Sequence, residues 1–132
     1  MRTGLGVAVL AAATGLATPG WAAGDFDGSK PLICAPVEVM DCTTGMRCVT
    51  GQPSELGAPD FMRVDFAAMA VIGPERTSPI RHMDDKDGQW LMQGTELGFG
   101  WTMAIHQETG RMSLSLVDRN GVFVLLGPCA PL

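Results

Sequence analysis

Residues 99–107 and 111–117 alternate apolar and polar side chains on either side of Glu108-Thr109-Gly110, and this pattern leaves few folds open. A side-chain period of two is that of a β-strand with one buried face. Gly at the end of a short polar break marks a hairpin. The expected inner set is Trp101, Met103, Ile105, Met112, Leu114 and Leu116; Thr102, Ala104, Ser113 and Ser115 face away. A slip of one residue would reverse both sets, so the assignment is sharp.

The same reading extends in both directions. Arg119-Asn120-Gly121 contains Asn-Gly, a strong hairpin signal, and 122–126 closes the run. That last stretch is apolar on both faces, so it is expected to be covered rather than at an edge. Upstream, 61–66, 69–72, 78–83 and 89–93 read as short strands, and Asp84-Asp85-Lys86-Asp87-Gly88 as a polar turn. Gly94, Gly98 and Gly100 read as bulges or kinks that curl the sheet. Val37-Glu38-Val39 alternates, but Pro36 places it at an edge. Residues 43–59 read as loop with one helical turn near Pro53. Turns recurring every 8–12 residues or so are the signature of an all-β chain. The expected fold is therefore all-β: seven or so strands in a small antiparallel meander, curled into a barrel or half-barrel.

The beginning of the chain reads differently. Met1-Arg2-Thr3 carries one positive charge, 5–16 is an apolar run, and Thr18-Pro19-Gly20 breaks it before small residues. This is the layout of a secretory signal peptide, and its apolar run is shorter than the roughly 20 residues that span a bilayer. Gly20 and Ala22 suit a cut after Ala22. The expected organisation is a signal peptide over 1–22, a loop-rich segment over 23–60 packed on the sheet, and the meander over 61–132, the last two forming one domain. The expected location is bacterial, periplasmic or secreted, with no membrane span after processing.

Export gives meaning to four cysteines, Cys34, Cys42, Cys48 and Cys129. An even count in an oxidising compartment implies two disulfides, for which three pairings exist. The short intervening loop favours Cys42–Cys48, which leaves Cys34–Cys129 to tie the start of the domain to its end. The spacings are wider than those of zinc pairs, and there is no C-x-x-C.

Composition narrows the partners. The formal net charge is −5 and charged residues make up 17%. No basic face for nucleic acid and no polybasic membrane patch is visible. The catalytic candidate is His106, with Glu96 and Glu108 as acids and Ser113 or Ser115 across the hairpin. Nine methionines allow a soft-metal reading on His82, Met83, Met103 and His106, although adaptable core packing also accounts for them. Trp90 and Trp101 lie on inner faces and would line a ligand cavity if the barrel is hollow. No cofactor is implied. The expectation is a non-enzymatic binding or accessory protein for an envelope protein or a small apolar ligand. A small hydrolase-like enzyme using His106, or a copper-handling protein using Met and His, is the alternative.

Overall fold

The computed structural model describes residues 24–45 and 47–132, so the expected signal peptide lies outside the described residues. Among the described residues eleven strands form one sheet, more than the sequence pattern implied. They are β1 (Leu32–Cys34), β2 (Glu38–Thr43), β3 (Arg47–Gly51), β4 (Met62–Asp65), β5 (Ala70–Ile72), β6 (Thr77–Pro79), β7 (His82–Lys86), β8 (Gln89–Glu96), β9 (Phe99–His106), β10 (Arg111–Asp118) and β11 (Gly121–Pro131). A 3₁₀ turn, Pro53–Glu55, precedes β4. Every pairing is antiparallel, and the sheet curls into a half-barrel. No helix among the described residues is long and apolar enough to cross a membrane.

The β9–β10 hairpin has the register that the alternation requires. Met112 faces Ile105, Leu114 faces Met103 and Leu116 faces Trp101. Met103 and Ile105 are fully buried, Met112 and Leu114 nearly so, and Leu116 is half-buried, while Ser113 is exposed. Two further hairpins turn on two-residue loops, Asp87-Gly88 and Leu97-Gly98, with positive φ at both positions of each. That geometry matches the right-handed twist of the flanking strands. Asp84, Asp85 and Lys86 thus belong to β7, and the polar turn shrinks to its last two residues. Gly98 is a turn residue, not a kink.

The last strand organises the rest. One edge of β11 pairs with β10. Its other edge pairs first with β2 and then with β1. Between these, Ala35 N–H donates to the Pro128 carbonyl at 2.9 Å and Val37 N–H to the Leu126 carbonyl at 2.8 Å. Pro36 sits in that interruption, where its missing N–H is not needed. The strand after it is therefore interior, between β11 and β3, and not the edge expected from Pro36. β11 is covered on one face only. Leu125 is buried and Phe123 packs on the core, but Val122 and Val124 are half-buried and Leu126 is exposed.

Beyond β1 the sheet continues through β4, β5 and β6, which face the β8–β10 wing across the core. The stretch expected as one strand over 78–83 is two, because it changes partners. Ile80 N–H donates to the Met69 carbonyl on one wing, and Arg81 N–H to the Gln93 carbonyl on the other, each at 2.8 Å. Consecutive residues thus carry the two ends of the strand order. Residues 47–51, expected as loop, are β3. The disulfides pair Cys34 with Cys129 and Cys42 with Cys48. The first lies in the core, and the second bridges β2 and β3 on the outer surface.

Candidate functional site

The two ends of the half-barrel differ. One is closed by aromatic packing. The Trp90 indole N–H donates to the Phe26 carbonyl at 2.8 Å, and the Trp90 and Phe66 ring centroids lie 5.0 Å apart. The Phe26 ring covers Gly110, where any side chain would collide with it. The segment that begins the described chain therefore acts as a plug.

The other end is open because the wings have unequal lengths. β8, β9 and β10 have 8 residues each, against 4, 3 and 3 for β4, β5 and β6. A difference of four to five residues leaves about 13–17 Å of the long wing without strand opposite. Among the described residues, the loops around Gly57 and Gly73 cover it, and they bring few bulky side chains. The result is a cavity of ≈ 340 Å³. Its floor is two in-register rows across β9, β10 and β11: Trp101, Leu116 and Phe123, then Met103, Leu114 and Leu125. Met62 and Val71 form the facing wall, and Arg76, Ser78 and Glu96 are the polar or charged side chains around it.

Trp101 is held in place at the edge of that floor. Its indole N–H donates to Ser78 Oγ at 2.8 Å, joining the wings. Its ring lies against Gly94, where a Cβ would overlap the indole and the Pro79 carbonyl. Gly94 is thus a point of close approach. Phe99 is 36% exposed at the rim, next to the Leu97-Gly98 turn. Leu97 has φ 47° and is 68% exposed, an apolar β-hairpin tip in a left-handed conformation that Asn or Gly would adopt with less strain. Asp118 closes the neighbouring hairpin at the same end. Its carboxylate accepts from Asn120 N–H at 2.8 Å and Gly121 N–H at 3.1 Å. The Asn120 N–H bond, before other causes, holds Asp118 below the ordinary carboxylate range.

The candidates from the sequence fall in different places. Trp101 lines the cavity; Trp90 stands in the closed end. His106 is exposed at that closed end, and its Nδ1 accepts from Glu108 N–H at 3.2 Å and Thr109 N–H at 3.3 Å. The imidazole therefore organises its own turn. His82 is exposed, whereas its neighbour Met83 packs against the core. Strand alternation likewise sends His106 and Met103 to opposite faces. The thioethers do meet one another: Met83, Met92 and Met103 are cross-strand neighbours on the inner face. Among the described residues, no three His, Cys, Asp or Glu side chains are grouped as metal ligands would be. The residues that sequence reasoning missed as part of the cavity are Phe99 at its rim, with Leu97 beside it, and Leu116 and Phe123 in its floor. Alternation marked Leu116 as inward, but no local signal shows that the opposite wing stops short.

Comparison of the chain with protein-family models, with curated proteins and with solved structures found no match.

Proposed function

We propose that this chain is an exported bacterial binding protein that takes a small apolar ligand into the open end of its half-barrel, without catalysing a reaction. The cavity carries the reading. Its ≈ 340 Å³ falls in the range of about 300–1,000 Å³ typical of small-molecule sites. It combines an apolar floor with a few polar groups at the edge, the composition such sites share. Two disulfides suit an oxidising compartment such as the periplasm, and they keep the scaffold rigid before binding. The exposed apolar rim at Leu97 and Phe99 gives the ligand a path from water. His106 supports the non-catalytic side of the reading, since it is engaged in a turn at the far end.

The test is titration of the processed protein with anilinonaphthalene sulfonate, a fluorescent anion with an apolar ring system, followed by probe and tryptophan emission. Saturable one-to-one binding is expected. Leu116→Trp places a large ring in the cavity from a half-buried position and should weaken binding by about tenfold or more, near 1.4 kcal/mol. Absence of saturation, or equal affinity in a folded Leu116→Trp variant, overturns the proposal.

A further inference from the structure

β3 is a sheet edge left open. Among the described residues it pairs with β2 alone. The Cα atoms of Cys42 and Cys48 are 4.1 Å apart. That spacing belongs to a non-hydrogen-bonded antiparallel pair, since hydrogen-bonded pairs stand about 5.5 Å apart. The main-chain N–H and C=O of Cys48 therefore point away from β2, and so do those of Thr50 two residues on. Of the other sheet edges, β7 carries Asp84, Asp85 and Lys86, charges of the kind that discourage pairing, and β6 is three residues long and ends in Pro79, which has no N–H to offer. β3 has one charge, Arg47, and at its centre Val49 is 57% exposed.

The charges flanking Val49 are complementary under a twofold rotation. Arg47 lies two residues before it and Gly51 two residues after. The Glu55 carboxylate lies over Gly51, with Oε2 3.1 Å from where a Cβ would stand, and it accepts from Gln52 N–H at 3.2 Å. Among the described residues the ion pairs are Arg63–Asp65 and Lys86–Asp84, so Arg47 and Glu55 are both available.

We infer that β3 pairs antiparallel with β3 of a second copy of this chain, about a twofold axis at Val49. Cys48 then faces the partner's Thr50, and each such pair exchanges both main-chain hydrogen bonds. Val49 packs on the partner's Val49. Arg47 comes to lie opposite the partner's Gly51 and beside the partner's Glu55, and symmetry repeats this contact at the other end. An unrelated extended peptide would find the same open backbone, but opposite charges on the two sides of Val49, at Arg47 and over Gly51, single out a second copy. A five-residue strand pair is smaller than the roughly 1,600 Å² of a standard interface, so the dimer forms in a concentration-dependent manner.

Sedimentation of the disulfide-intact protein over a wide concentration range tests this directly. Reversible monomer–dimer exchange is expected. Arg47→Glu and Glu55→Arg should each abolish self-association, because each puts like charges together at both ends. Mixing the two variants should restore a dimer, since opposite charges then meet at both ends. Thermal melts of each variant alone verify that Glu55→Arg leaves the fold intact, and Arg47→Glu carries the test by itself if it does not. A chain that stays monomeric throughout, or a dimer that persists in Arg47→Glu, overturns the inference.

Discussion

Leu97 shows most plainly how a single residue departs from what its local structure favours. It stands first in a two-residue hairpin loop with φ 47°, a position suited to Asn, Asp or Gly. A non-glycine residue in the left-handed region costs on the order of 1–3 kcal/mol, and 68% exposure means that little packing offsets it. Its neighbours Glu96 and Phe99 both line the cavity, which gives the exposed leucine a use. Leu97→Asn should therefore raise unfolding stability by about 1 kcal/mol in denaturant melts while weakening binding of the probe. A loss of stability would show that the side chain packs after all, and unchanged affinity would remove Leu97 from the site.

At the scale of elements, the hairpins show what a sequence displays and what it hides. The β9–β10 pair was legible because burial on one face alone forces Trp101, Met103 and Ile105 to alternate with Thr102 and Ala104. The β10–β11 turn was legible in position, though it works differently from the expected Asn-Gly loop. Asp118 pairs with Gly121 across it, Arg119 and Asn120 form the loop, and Gly121 is needed because a Cβ would strike the Cys42 carbonyl. β3 was hidden because Arg47, Cys48, Val49 and Thr50 are all exposed, so no buried face imposes a period. The cavity was hidden because it results from short strands elsewhere in the chain; Trp101 was identifiable, but not the missing length opposite it. The Asp118 turn also carries a pH dependence. Its folded-state pKa lies below its ordinary value, chiefly through the Asn120 N–H bond, so its stabilising effect is full above the ordinary carboxylate value and fades as pH falls through the folded one. Asp118→Asn keeps an acceptor but does not titrate. Urea melts between about pH 5 and about pH 2 should show a shallower acid slope for this variant than for the parent, and parallel slopes would mean that the turn does not discriminate between charge states.

For the molecule as a whole, the two disulfides have unequal tasks. Cys42–Cys48 spans 6 positions and fastens a hairpin that its own ladder already holds. Cys34–Cys129 spans 95 positions and sits where β11 passes from β2 to β1, so it pins the junction between the wings. In the chain-entropy model a loop of that length stabilises by about 4–5 kcal/mol, whereas the short loop contributes about 2 kcal/mol. Both core sulfurs are buried, so replacing Cys34 and Cys129 also removes packing that the surface pair does not supply. The double variant Cys34→Ala/Cys129→Ala should therefore lose about 4 kcal/mol or more, and Cys42→Ala/Cys48→Ala about 2 kcal/mol, in denaturant melts under non-reducing conditions. The cavity should follow the same order, since its floor belongs to the long wing and its facing wall to the short one. Probe binding is expected to weaken in the first variant, measured where it is still folded, and to persist in the second. Equal losses of stability would mean that the wings are held by β11 pairing and the Trp101–Ser78 hydrogen bond, with the long disulfide adding no more than local constraint.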